Sequence, residues 1–353
     1  MRPVLKLRRG IVATAKEGED TAFQDLEVEV DGERRPAKAD VALVGRCGEG
    51  DEVIVNTEAL DLKLGSGGFD LVYVNLSRGL DGEGTAGAHV MKLNYTPVQH
   101  SVLPVESERS PSVGNFPPVD PVARSLDQPV GVIFLHGQLA PVAWAIAQAA
   151  PDKKVGFVQT VGGALPGGLS NVVRMLRERD LLAGHITAGM AYGGEGEAIT
   201  TVGAIHHGLR DLGWDTVVCG PGPGILGSGS ALGHGGMYAM DSIHAAAALG
   251  CRPVVVPRIS SGDPRARHQG LSHHTGTVLR MVLSPVTVAV PRGFQVAWPA
   301  QHVEHEWHPV DVDTAGYAAS GLPATTMGRS IKEDEAFFTS ALAGGVLLGE
   351  LVA

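Results

Sequence analysis

The run VGVIFLHGQLAPVAWAIAQAA, residues 130–150, is where the period of the chain changes. Val130–Leu135 is a continuous apolar run, the pattern of a strand buried on both faces. Leu139–Ala150 is Ala-rich and helical in character. The alternation continues downstream. Strand-like runs at Val155–Gln159, His185–Thr187, Thr216–Cys219, Pro253–Pro257 and Val286–Val290 are interleaved with helix patterns at Leu169–Arg179, Ala198–Leu212, Met237–Leu249 and Thr275–Leu283. A last helix pattern covers Glu333–Leu351. Such alternation predicts a Rossmann-like α/β domain: an open, mostly parallel sheet with helices on both faces.

Upstream the pattern is β. Val4–Ala15, Phe23–Val30, Ala37–Val44, Glu52–Thr57 and Asp70–Asn75 are short β-rich runs. Turn signals at Gly18, Asp31-Gly32, Gly48–Asp51 and Gly65–Gly68 separate them, and Asp31-Gly32 is a hairpin signal. Five short strands predict a small β-barrel, OB-like or SH3-like, read as a structural or oligomerisation module. HVMKLNYTPVQ, residues 89–99, is expected to add a last strand that ties the barrel to the second domain. Glu106–Pro129 is rich in Pro, Ser and charge and reads as a linker. The expected organisation is therefore a barrel over 1–105, a linker over 106–129 and the α/β domain over 130–353.

Composition agrees with two domains. The chain has 353 residues, of which 44% are apolar but only 5% aromatic, so its cores draw on Val, Leu, Ile and Ala. Its 48 glycines cluster between apolar runs, as tight turns and close backbone approaches require. A net charge of −10 speaks against a nucleic-acid partner. Cys47, Cys219 and Cys251 are widely spaced and form no CxxC, which fits a reducing, cytoplasmic setting. Neither a signal peptide nor a run of eighteen apolar residues is seen, so no membrane span is expected.

In an open parallel sheet, ligands bind beyond the carboxyl ends of the strands, so the loops after the strands hold the candidates. The densest is RISSGDPRARHQGLSHHT, residues 258–275. It gathers Asp263, Arg265, Arg267, His268, His273 and His274. Ser272 is placed to cap the next helix, which sets His273 and His274 at the helix's positive end. That end disfavours imidazolium, and neutral imidazole is the form that ligates a metal or acts as a base. Arg265 and Arg267 can grip a carboxylate or phosphate. The plainer alternative is a capped helix with surface histidines and an Arg–Asp ion pair.

GPGPGILGSGSALG, residues 220–233, offers Gly222, Gly224, Ser228 and Ser230 for an anion, or else it is a tight structural turn. It is neither a Walker A loop nor a dinucleotide fingerprint. His234 follows it as a polar handle. In GMAYGGEGE, residues 189–197, Glu195 and Glu197 are expected in a helix's first turn as complements of its dipole, with Glu195 the alternative metal ligand. TVGGALPGG, residues 160–168, with Ser170 is open to both anion binding and capping. His302, His305 and His308 read as a solvated segment, and neither GxSxG nor HExxH occurs.

Several of these stretches recur in a known pattern. Arg267-His268 with Ser272-His273-His274-Thr275, Asp263-Pro264-Arg265 and Gly220-Pro221-Gly222 are its core. Gly162-Gly163-Ala164-Leu165-Pro166, Gly193-Gly194-Glu195 with Glu197, and Met91-Lys92-Leu93 with Tyr95-Thr96-Pro97 complete it. Over most of its length the chain resembles an uncharacterised bacterial family, domain of unknown function 3866. The resemblance implies no activity and supplies no catalytic residue.

The functional expectation therefore comes from the residues alone. It is an enzyme, a hydrolase or group transferase rather than an oxidoreductase, acting on a small anionic, phosphorylated or nucleotide-like substrate. His268, His273, His274 and Asp263 are the catalytic candidates. His268, His273, His274 and Glu195 are the candidate ligands of a divalent metal. Arg265, Arg267, Gly222, Gly224, Ser228 and Ser230 are the candidate anion contacts. The alternative is a non-catalytic ligand sensor or scaffold, oligomeric in one version.

Overall fold

A computed structural model of the chain describes residues 4–16, 22–63, 68–106, 125–295 and 304–353. Gly18, Gly65–Gly67, His302 and most of the expected linker lie outside these residues. The chain divides into two compact units, Met1–Leu103 and Pro104–Ala353.

The first unit is a closed five-stranded barrel of β1 (Leu7–Ala15), β2 (Phe23–Val30), β3 (Glu33–Asp40), β4 (Glu52–Asn56) and β5 (Asp70–Asn75), in the order β1-β2-β3-β5-β4. Strict alternation in β2 turns Gln24, Leu26, Val28 and Val30 inward. Its apolar side chains meet Val12, Ala37, Ala39, Val53, Val55 and Val72 in a small core. Asp31 (φ 52°) and Gly32 (φ 83°) join β2 to β3 with two successive left-handed residues, as a tight hairpin requires. The strand expected through Val44 stops at Asp40. The Asp40 carboxylate accepts the Ala42 amide and starts α1 (Val41–Val44) instead. A second short helix, α2 (Glu58–Asp61), precedes β5. The strand expected in residues 89–99 is only β6 (Val90–Lys92), and it pairs with β7 (His100–Val102) and not with the barrel.

The second unit is built on an eight-stranded sheet, every neighbouring pair parallel. Its strands are β8 (Pro129–Ile133), β9 (Val155–Thr160), β10 (Gly184–Ala188), β11 (Gly196–Ala198), β12 (Thr216–Pro221) and β13 (Arg252–Val256), then β16 (Thr287–Pro291) and β17 (Glu306–Val310). Between them a short antiparallel ribbon, β14 (Ile259–Ser260) with β15 (Gly270–Leu271), folds back the loop after β13. A second ribbon pairs β18 (Thr325–Thr326) with β19 (Arg329–Ser330). Strand order in the sheet is β11-β10-β9-β12-β8-β13-β16-β17. β8, β9, β10 and β12 are buried throughout, as central strands covered on both faces are.

Helices cover both faces. α3 (Leu139–Ala149), α4 (Asn171–Glu178), α8 (Thr314–Ala319) and α9 (Glu335–Val352) share one core with the sheet. α5 (Thr201–Arg210), α6 (Tyr238–Ala248) and α7 (His273–Met281) pack in the cores of the other face. The helix leaving β8 thus covers one face, while the helices leaving its neighbours β12 and β13 cover the other. That reversal opens a crevice at the strands' carboxyl ends, where α/β sheets bind ligands.

Two edge strands were not expected. Ala198 pairs with Ala188 in β11, and α5 starts only after Thr200, whose hydroxyl accepts the Gly203 amide. β17 pairs with β16 and is half exposed, so its polar residues imitate a solvated segment. α9 is long and apolar enough, by length and composition alone, to cross a membrane, yet Phe337, Phe338, Leu342 and Leu348 sit in the core beside α3.

Candidate functional site

The site is assembled by two loops at the carboxyl edge. After β12 the glycine-rich loop turns back on itself. Gly227 bridges His234, and the Ser228 amide donates to the Gly233 carbonyl at 2.8 Å. Gly235 comes next because a Cβ there would lie 2.1 Å from the Gly162 carbonyl oxygen. The turn delivers His234 inward. After β13, the ribbon β14–β15 returns the chain to Ser272, whose hydroxyl accepts the His274 amide and caps α7. This cap was legible in the sequence, and it sets His273 and His274 in the first helical turn.

Four imidazoles meet there. The rings of His234 and His274 are stacked at 3.9 Å with an 11° tilt. His273 lies 4.5 Å from His274 and 5.3 Å from His234, centroid to centroid. His268 is 5.0 Å from His273 and 4.9 Å from His274, with its Nδ1 2.7 Å from Ser272 Oγ. One ring nitrogen from each of His234, His273 and His274 lies within 4.8 Å of the other two. A cavity of about 680 Å³ opens beside them, lined by Ser272, His273, Arg267, Gln269 and Arg280 among others.

Burial lowers all four rings, which favours the neutral imidazole at pH 7. Burial, then the charge of Arg258, lowers His268 to about 3. Burial and the neighbouring His234 and Arg258 lower His274 to about 2. His234 and His273 are lowered too, chiefly by burial. Neutrality fixes tautomers. His234 Nε2 faces the Ala231 carbonyl at 3.0 Å, so it carries the proton and Nδ1 keeps a lone pair. His274 Nδ1 lies 3.3 Å from the Arg258 guanidinium, which can only donate, so Nε2 carries the proton there. His234 Nδ1 and His273 Nε2 are buried without a hydrogen-bond partner.

Beneath the imidazoles lies an ionic network. Arg258 is 2% exposed, and burial lowers it to about 10, which leaves it charged. It donates to Asp263 Oδ2 at 3.1 Å. Arg265 grips the same carboxylate with two bonds, Nε to Oδ1 at 2.8 Å and Nη2 to Oδ2 at 2.7 Å. Arg329 stands 3.6 Å from Asp263 and 2.9 Å from Asp334. Asp334 also accepts from the Ser260 hydroxyl and from the amides of Ser261 and Gly262. Three guanidinium groups face two carboxylates, which leaves one net positive charge. The bond from Arg265 holds Asp263 well below the usual carboxylate range.

The sequence candidates are therefore distributed unevenly. His268, His273 and His274 converge, and His234 joins them. Asp263 is beside them, but Arg258, the Arg265 side chain and the Arg265 amide fill its acceptor sites. Arg265 is committed to that carboxylate. Arg267 makes no ion pair among the described residues and faces the cavity. Gly222 is packed against the Ala164 carbonyl, where a Cβ would lie 2.3 Å away, and Gly224 (φ 69°) makes a turn. Ser228 and Ser230 bond to each other at 3.0 Å and close the loop's tip. Glu195 is not in a helix's first turn; it precedes β11 and pairs with Arg177 at 2.5 Å. Four strand steps separate β10 from β13, roughly 19 Å at the usual spacing, so Glu195 does not join the histidines. His305 Nε2 donates to the Leu279 carbonyl at 2.7 Å, and His308 lies on β17.

A second buried group joins two residues that the sequence does not pair, His136 and Ser170. His136 Nδ1 donates to the Pro221 carbonyl at 3.1 Å, and its Nε2 accepts from Ser170 Oγ at 2.6 Å. Ser170 Oγ also caps α4 by accepting the Val173 amide. The capping reading of Ser170 in the sequence was right, whereas its pairing with His136, 34 residues away, left no sequence signal. Burial lowers His136 to about 4 and the nearby His185 to about 3.

No curated protein matches the chain, and no solved structure matches it. The model of the family described as protein of unknown function (DUF3866) matches residues 37–345, most of the chain, and the protein belongs to that family.

Proposed function

We propose that this protein is an enzyme, a hydrolase or group transferase, that acts on a small anionic substrate at the carboxyl edge of its sheet. One observation carries the reading: four clustered neutral imidazoles stand beside a cavity of about 680 Å³ rimmed by Arg267 and Arg280. Neutral imidazole can take a proton from water or a hydroxyl at pH 7, and arginine suits a phosphate or carboxylate. No carboxylate lines the cavity among the described residues, so proton transfer falls to His273, which reaches the wall, while His268 and His274 are held too far down to accept a proton at pH 7. Asp263 serves here as an anchor for Arg258 and Arg265. The net charge of −10 disfavours nucleic acid as substrate. Three buried free cysteines suit a reducing compartment such as the cytoplasm.

The test is a phosphatase, esterase and nucleotidase screen of the full chain beside His273→Ala. Activity on a phosphorylated or carboxylated small molecule is expected, with a loss of at least ~100-fold in the variant, the scale of general acid–base catalysis. A variant that keeps every activity of the wild type overturns the reading. The ionic saturation of Asp263 favours a second reading, a sensor that binds an anion without chemistry. A metabolite that raises the thermal midpoint and is recovered unchanged would select it.

A further inference from the structure

We infer that His234, His273 and His274 form a binding site for one transition-metal ion of the zinc type. The site's role in catalysis rests on the reading above, whereas its existence does not. Three observations lead to it. Each of the three rings offers a nitrogen within 4.8 Å of the other two. His234 is 6% exposed, and its Nδ1 keeps a lone pair with no partner. An orphaned acceptor at this depth destabilises the fold, a cost that a bound cation would remove. Finally, His273 Nε2 is buried without a partner as well.

The donor set decides the ion. Three imidazoles with neither carboxylate nor thiolate suit zinc, cobalt, nickel or copper, while magnesium and calcium need oxygen. The Ala231 carbonyl on the far nitrogen of His234 is the outer contact that orients a metal-bound imidazole. Geometry says what must move. Zinc–nitrogen bonds of about 2.0–2.1 Å in a tetrahedron bring the ligand atoms to roughly 3.4 Å of one another. Two parallel rings share no point in their planes, so the His234–His274 stack must open. His274 is the ring that would turn, giving up its 3.3 Å contact with Arg258, which keeps Asp263 afterward. The fourth position would then face the cavity beside His273, with the positive charge of Arg267 near it.

The full chain is stripped with chelator and titrated with Co²⁺, with visible absorption as the readout. One equivalent should bind with the intense bands of four-coordinate cobalt, and Zn²⁺ but not Mg²⁺ should displace it. His234→Ala and His273→Ala should each weaken binding on the order of 100-fold or more, at least the loss seen when an outer contact is removed. Glu195→Ala should bind as the wild type does. Circular dichroism checks folding, and His273, the least buried of the three, keeps the test readable if His234→Ala does not fold. Absence of stoichiometric Co²⁺ binding to the folded wild type, or wild-type binding by both histidine variants, overturns the site. Activity that survives stripping but not His273→Ala also overturns a catalytic metal and leaves the acid–base reading standing. Tight cobalt binding without any activity supports the site and removes the enzyme reading.

Discussion

Asp263 shows how much a single side chain's role depends on what reaches it from elsewhere. Its neighbours Arg265 and Arg258 are close in sequence, but Arg329 and the partner carboxylate Asp334 arrive from the segment before α9. The density of charge in residues 258–275 was therefore readable, whereas the saturation of this carboxylate was not. Removing its charge leaves three guanidinium groups around a neutral amide. Asp263→Asn should cost about 3 kcal/mol at pH 7, the scale of breaking a buried ion pair, seen as a lower urea midpoint with unchanged slope. Because the folded carboxyl is held below its unfolded value, this stabilisation is present above about pH 4 and is lost as the pH falls through the folded value. The buried histidines act at higher pH. His136 and His185 stay neutral while their unfolded counterparts protonate below about pH 6.5. Each should therefore remove stability as pH falls from about 6.5 toward its folded value, at up to about 1.4 kcal/mol per pH unit. His185 Nε2 has no partner, so His185→Leu should be tolerated at about pH 7.5 and should flatten the decline measured between about pH 6.5 and 5. An unchanged slope would remove His185 from this account.

At the scale of elements, helix and strand identity was set mainly by apolar period, and it failed where an edge position blurred that period. Glu195 to Ala198 reads as a helix's acidic start, but Ala198 is wholly buried in an edge strand and Thr200 supplies the cap. β17 was missed for the matching reason: an edge strand buries one side only, so His308 and Glu306 gave no apolar run. α9 was legible as a helix, but its glycines carried no message until its neighbours were known. A Cβ at Gly345 would lie 2.4 Å from the Val142 carbonyl oxygen of α3, and one at Gly349 would lie 2.5 Å from Ala149 Cβ. These glycines let α9 lie directly against α3. Alanine in place of glycine gains about 1 kcal/mol in an exposed helix. Here the obstruction is backbone, which cannot swing aside. Gly345→Ala should therefore destabilise by about 1–3 kcal/mol net, the range for overpacked cores, as measured by urea denaturation. A stabilised variant would show that α9 can lift from α3 without cost.

At the scale of the molecule, the alternation of strands and helices foretold a parallel sheet, and a sheet with a reversal in strand order concentrates polar loops at one edge. The edge was foreseen; the strand order that parts Glu195 from the histidines and brings in His234 was not, because pairing between strands far apart in sequence leaves no periodic trace. The two units have separate cores, Val12 to Val72 in one and Val130 to Leu348 in the other. Residues 104–106 belong to the second. The Val105 amide donates to the Glu197 carbonyl at 2.7 Å, which extends the sheet beyond β11. The Glu106 carboxylate accepts the amides of Ile199 and Thr200 at 2.9–3.0 Å, at the positive end of α5. A fragment of residues 104–353 should therefore unfold in one cooperative urea transition and bind cobalt as the full chain does. Starting the fragment at residue 125 removes the Glu106 bonds, worth about 1.5–3 kcal/mol for a charged acceptor, and uncovers the edge of β11. The shorter fragment should unfold at a lower urea concentration by that amount. Equal midpoints would mean that residues 104–106 contribute nothing to the second unit, and a longer fragment that does not fold would mean that its core is incomplete without the barrel.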